Sequence, residues 1–358
     1  MTTTMTTGTD VPTRSRSGSR RGVAGTSARR SAGLLVLLAV LAVAVLFSVA
    51  VGSKDIPLST VLEALRNSDL AIDEHFIVWE MRLPRTLTGL AVGAGLAAVS
   101  GALIQALTRN PLADPGILGV NAGAAFFVAL GVAVFGVSSI AGYVWFAFLG
   151  ALVVTVGVYL IGSAGRGPAD PVRLTLAGVA LGAVLSGITL GMTLLDPGAF
   201  DQMRNWNAGS IAGRGYDVLL PVLPFLILGV VLAVGAASSL NAIALGDDLA
   251  TSLGTRVALT RTTVIIAVTL LAGGATAIAG PIMFVGLMVP HIARWITGPE
   301  QRWIIAYSLV MGPILVIASD VLGRVLMRPG ELPVGIVTAF VGAPVLIALI
   351  RRKKASGL

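Results

Sequence analysis

The chain has 358 residues, with 25 Lys and Arg against 17 Asp and Glu for a formal charge of +8, yet only 12% of its residues are charged while 55% are hydrophobic. A mean hydropathy of +0.91 is more apolar surface than a soluble interior of this size can hide, and a disordered chain needs the opposite composition. The absence of cysteine excludes disulfides, thiolate nucleophiles and cysteine-based metal sites, and the dispersed basic residues form no phosphate-tracking stripe, so no nucleic-acid partner is expected.

Residues 1–31, rich in Thr, Ser, Gly and Arg, show no apolar periodicity and are expected to be a disordered basic tail. Residues 32–51 then run for 20 positions without a charge, about 30 Å of helix and the thickness of a bilayer core. A basic tail before an apolar run also describes a secretory signal, but a signal's apolar region is only about 7–15 residues long. Further spans are expected at 86–107, 117–137, 140–164, 174–195, 218–240, 257–275, 278–296, 303–322 and 334–350. That makes ten with the first, in one domain over 32–350, followed by a basic tail at 351–358. The division between 275 and 278 requires one tight turn. The spans must be helical, because lipid offers no partner for a bare amide. The fold class is therefore an all-α integral membrane protein. An even number of spans puts both termini on one side. The alternation then places 17 of the 25 basic residues on the side of the termini and 8 on the other, so both termini are expected in the cytoplasm. Glycines at helical spacing inside the spans, such as Gly89 and Gly93, read first as close helix packing.

No Gly-x-x-x-x-Gly-Lys-Ser/Thr is present: the only lysines are Lys54, Lys353 and Lys354, and none follows a glycine. The chain is not expected to hydrolyse ATP itself, no catalytic residue is assigned, and no cofactor is expected on it. His75 and His291 stand apart from any metal-ligating pattern, so no metal site is expected. A proton-coupled carrier would place Asp, Glu or His near mid-membrane. Here Asp196, Asp217 and Asp320 fall near span ends, which counts against an ion-coupled secondary transporter without excluding sodium coupling through backbone carbonyls.

Four loops carry features of their own. Arg82 and Arg85 lie three apart around Pro84, just before the second span, and suit snorkelling to headgroups or a contact outside the membrane. Arg109 to Gly116 contains Asn110-Pro111-Leu112-Ala113-Asp114-Pro115-Gly116, a turn whose prolines end one helix and start the next. Between Gly246 and Gly254, Leu245, Leu249 and Leu253 recur every four residues with Asp247, Asp248 and Ser252 around them, a short helix suited to docking into a partner's groove or to lying at the interface. Two acids facing an anionic leaflet disfavour the second use. Last, 196–217 holds Trp206 with Gly209 and Ser210, readable as a plain turn with an interfacial Trp.

These residues together resemble the permease subunits of ABC importers for iron chelates and cobalamin. The resemblance rests on Arg82-Leu83-Pro84-Arg85-Thr86-Leu87, Gly101-Ala102-Leu103-Ile104-Gln105, the run Asn110 to Gly119, and Leu245-Gly246 with Ala250 and Leu253-Gly254. It continues through Gly286-Leu287, Val289-Pro290-His291-Ile292-Ala293-Arg294, Glu331-Leu332-Pro333-Val334-Gly335 and Gly342-Ala343-Pro344-Val345. It implies a ten-helix permease in the plasma membrane, paired with a second copy or a related permease. Two ATPase subunits that bind the ATP, and an extracytoplasmic protein that delivers a metal chelate, complete the assembly. It implies that Arg82, Arg85 and Arg324 dock the binding protein, and that Leu245, Gly246, Asp247, Asp248, Leu249, Ala250, Leu253 and Gly254 contact an ATPase. Family members often carry arginine where Thr251 or Ser252 stands here. Asn110, Pro111, Leu112, Ala113, Pro115 and Gly116 form its inner-loop motif.

Overall fold

The computed structural model describes residues 23–24, 26–164 and 171–351. Most of the expected basic tail, residues 352–358 of the C-terminal tail, and Arg166 lie outside the described residues. Helix α1 (Ser27–Ala50) starts where the Thr26 hydroxyl accepts from the Arg29 amide, and α2 (Leu58–Arg66) and α3 (Asp73–Phe76) follow beyond its far end. A continuous helical path then runs through a π-helical turn (Ile77–Arg82), α4 (Leu83–Gly93), a second π-helical stretch (Ala94–Gly101) and α5 (Ala102–Thr108). A 3-10 turn (Pro115–Leu118) leads into α6 (Val120–Ala133), α7 (Ile140–Ser163) and α8 (Pro171–Leu195). After them come α9 (Pro197–Asn207), α10 (Tyr216–Ile243), the short α11 (Asp247–Ser252), α12 (Val257–Ala279), α13 (Val285–Thr297), α14 (Gln301–Leu326) and α15 (Val334–Arg351). No strand occurs among the described residues.

Among the described residues, six helices (α1, α7, α8, α10, α12 and α14) are long and apolar enough to cross a bilayer, and α6 and most of α15 are shorter apolar helices. Burial orders them. The central α12 has 83% of its apolar window buried, against 11% for α1 and 22% for α8. The fold is a bundle wrapped on α12, with α1 and α8 presenting most of their surface outward. Leu271, Ala275 and Ile278 of α12 pack with Val222 and Leu226 of α10 and with Ala147 and Ala151 of α7.

Four expected spans have different local structure. The stretch 86–107 is not one regular helix. A Cβ on Gly101 would come within 2.0 Å of the Gly286 carbonyl oxygen, and one on Gly93 within 2.6 Å of Pro313 backbone atoms, so this path lies directly against α13 and α14. The Ser100 hydroxyl donates to the Gly95 and Leu96 carbonyls in the π-helical stretch between them. The third span begins later than 117, because Gly119 at φ 76 ends the 3-10 turn before α6. The division placed at 275–278 falls instead after Ala279. Residues 275–279 are buried in the core, and the chain turns at Gly280, φ 74, then at Phe284, φ 68. The Ser210 amide donates to Ala279 O at 2.7 Å and seals the end of α12 against the loop after α9.

Candidate translocation and docking sites

Cross-element bonds sort the connections into two ends. At one, the Ala24 amide meets Ile296 O, the Gln301 amide meets Asn241 Oδ1 and Arg109 meets Ile243 O, which gathers the start of α1 with the α5–α6, α10–α12 and α13–α14 connections. At the other, the C-terminus of α1, the start of α4, and the connections after α9, α12 and α14 meet.

Arg82, Arg85 and Arg324 come together at this second end and face inward. Arg82 is 4% exposed and Arg324 2%. Arg82 donates to the carbonyls of Val49 (2.9 Å), Ala50 (2.6 Å) and Lys54 (2.6 Å). Arg324 donates to the carbonyls of Ser48 (3.0 Å) and Val51 (2.9 Å) and to the Ser48 hydroxyl (2.8 Å). Arg328 adds a bond to Gly52 O at 3.0 Å. The carbonyls of Ser48, Val49, Ala50 and Val51 are those that the last turn and cap of α1 leave without an intrahelical partner, while Gly52 and Lys54 lie just beyond it, and cations are favoured there by the helix dipole. Asp320, 1% exposed, sits between Arg324 (2.7 Å) and Arg85, which grips it through Nε and Nη2 at 2.8–3.2 Å. Arg85 also holds Glu331 at 2.7 Å. Burial works to raise the Glu331 carboxyl, but Arg85 and its hydrogen bond bring it below the ordinary value. From sequence these arginines suit surface roles, and of their partners Asp320 and Glu331 only Asp320 carries a local signal, standing four residues from Arg324 on one helix face.

At the first end, α11 is bracketed by Gly246 (φ 116) and Gly254 (φ 83), positive angles that favour glycine at both breaks. Ala250 is fully buried, while Leu245, Leu249 and Leu253 are 63%, 48% and 63% exposed. The three leucines thus form an uncovered apolar stripe. Asp248 is exposed beside it, whereas Asp247 is engaged by Arg109 and by Arg261 at 2.7 Å.

The inner-loop motif is a pair of side-chain-closed turns. Asn110 Oδ1 accepts from the Leu112 amide and Asp114 Oδ1 from the Gly116 amide, with Ala113 and Pro115 buried and Leu112 outward. Burial pushes the Asp114 carboxyl up, against the bond from Gly116. Pro111 sits between these turns. Thr251 and Ser252 return their hydroxyls to the carbonyls of Asp247 and Asp248.

An open cavity of about 370 Å³ is lined by Gly116, Asn121, Ala122 and Ala125, by Gly178, Gly182 and Ser186 of α8, and by Trp206, Asn207 and Pro281. No charged residue lines it. His75, before the π-helical turn at Ile77–Arg82, accepts from the Asp69 amide at 3.2 Å.

Residues 40–352 match the model of the FecCD transport family. The chain is 51% identical over 336 residues to the ferric enterobactin transport system permease protein FepD of Escherichia coli (strain K12), covering 94% of this chain and 98% of that one. It is 40% identical over 319 residues to the siderophore transport system permease protein YfiZ of Bacillus subtilis (strain 168), covering 89% and 95%. A solved inward-facing structure of a metal-chelate type ABC transporter superposes with a TM-score of 0.78 at 27% identity, covering 90% of this chain and 99% of that one. Composition, helical architecture and the match across nearly the whole chain agree: this multi-pass membrane protein is a permease of the FecCD transport family.

Proposed function

We propose that the chain is the translocation subunit of a binding-protein-dependent ABC importer that carries a ferric siderophore or a similar metal chelate across the plasma membrane. It crosses ten times, with both termini and α11 in the cytoplasm, and pairs with a second copy or a related permease. ATP is bound and hydrolysed by two partner ATPase subunits. The observation that carries this reading is the uncovered stripe of Leu245, Leu249 and Leu253 on α11. Three large apolar side chains beside Asp247 and Asp248 suit a protein groove better than an anionic leaflet. Relatives named for ferric enterobactin, iron(3+)-hydroxamate and Fe(3+)-citrate transport support an iron chelate as cargo. An uncharged cavity walled partly by glycine and alanine suits a bulky chelate passing without being held.

The binding protein docks at the opposite end. There Arg82 and Arg324 fix the end of α1 and Arg85 holds Asp320 and Glu331, so the three support the rim from inside, and exposed Arg66 and Arg328 offer the outward positive charge. Such charge steers encounter and sets orientation more than it adds affinity. The test is iron uptake into vesicles holding the permease, its ATPase and the binding protein, supplied with catecholate, hydroxamate or citrate chelates. Uptake should require ATP and should be lost in Leu249→Asp, whose charge is desolvated on the docking stripe without a partner. Uptake that persists without nucleotide, or ATPase binding unchanged by Leu249→Asp, would refute the reading.

A further inference from the structure

Arg109 is the first residue after α5 and adopts φ 51, ψ 29, a left-handed conformation uncommon for a side chain other than glycine. Its guanidinium spans three pieces of chain. Nε donates to Ile243 O at 3.0 Å, at the last residue of α10, and Nη2 pairs with Asp247 Oδ1, at the first residue of α11. The other oxygen of Asp247 takes Arg261 Nη2 of α12 at 2.7 Å. One carboxylate thus gathers α11, α12 and the 109–116 loop. That loop is closed on itself by Asn110 N to Gln105 O (3.1 Å), Leu112 N to Asn110 Oδ1 (3.0 Å) and Gly116 N to Asp114 Oδ1 (2.8 Å). It carries one outward apolar side chain, Leu112, 47% exposed.

We infer that Arg109 and Asp247 are positioning residues that lock the 109–116 loop to α11, so that Leu112 joins Leu245, Leu249 and Leu253 in one rigid surface for the ATPase subunit. The inference rests on the docking role proposed for α11 and adds to it. A six-residue helix between two glycines has little rigidity of its own. Thrust from an ATPase reaches the bundle only if α11 moves with what lies behind it, and the Asp247 carboxylate supplies that connection to α12 and to α5. The loop's conformation, with the strain at Arg109, is then explained by a mechanical task rather than by the turn alone.

The native chain has no cysteine, so spin labels at Leu112→Cys and Leu253→Cys report the loop-to-α11 distance in the permease without its ATPase. The parent should give one narrow distribution and Arg109→Ala a clearly broader one. Arg109→Lys restores the charge opposite Asp247 but not the Nε bond to Ile243, and should fall between them. In the assembled transporter, unlabelled Arg109→Ala should lower the stimulation of ATP hydrolysis by loaded binding protein roughly fivefold, the scale set by one exposed ion pair. Its thermal midpoint should stay near that of the parent, which a purely structural role would not allow. Unchanged width and unchanged stimulation in Arg109→Ala would overturn the inference while leaving α11 docking intact. Broadened spectra together with ATPase binding that survives Leu249→Asp would overturn the partner named here, and with it the proposed function of α11.

Discussion

Replacing Asp320 by alanine should destabilise the permease by about 3 kcal/mol, the lower end of what breaking a buried pair costs when one partner is removed. The lower end applies because neither arginine is left bare. Arg324, 2% exposed, keeps its bonds to Ser48 and Val51 but loses the carboxylate paired directly with it. Arg85, 12% exposed, keeps Glu331. Asp320→Asn preserves shape and one acceptor and should cost about 1.5–3 kcal/mol, the scale of a charged hydrogen bond. Thermal unfolding of the purified protein in detergent measures both, in low and in high salt. The network lies out of water, so added salt should change the difference between variant and parent very little, whereas exposed charges are screened beyond about 8–10 Å at physiological ionic strength. An Asp320→Ala variant as stable as the parent, or one whose deficit vanishes in high salt, would refute the view that these arginines are interior staples. They would then be available to a docking protein after all.

A Cys introduced at Asp248, exposed beside α11, should be labelled by an impermeant reagent in inverted vesicles and not in intact cells, whereas one at Arg204, on α9 at the other end, should behave in the opposite way; reversed labelling would invert the orientation. Gly101→Ala should lower folded yield sharply in detergent chromatography, because its Cβ would lie 2.0 Å from the Gly286 carbonyl oxygen and neither backbone can yield without repacking. Glu331 lies below the ordinary carboxylate value in the folded protein, so its pairing contributes stability above the unfolded value near 4.5, and that contribution is lost as pH falls through the lower folded value. Glu331→Gln should therefore remove part of the acid-induced drop in thermal midpoint below about pH 4.5, and a drop of unchanged size would refute that role.

Much of the architecture is legible in the chain itself because lipid imposes a one-dimensional rule: a backbone in hydrocarbon must satisfy itself, so apolar length alone marks α1, α7, α8, α10, α12 and α14. Helix α11 is equally legible, since Gly246 and Gly254 mark its ends by local conformation and its leucines repeat at helical spacing. Side-chain direction at the span ends is not. From sequence, an arginine beside a span suits snorkelling to headgroups as well as a contact in the interior, and only the proximity of Ser48, Val49, Ala50 and Val51, more than thirty residues from Arg82 and some 270 from Arg324, turns both inward. The same holds for Arg109 and Asp247, 138 residues apart. The sequence by itself determined that this chain fills a membrane with helices and leaves an apolar stripe at one end. Tertiary structure decided which charges meet, because the pairing of buried ions depends on helix ends brought together across the bundle, and no local period encodes that meeting.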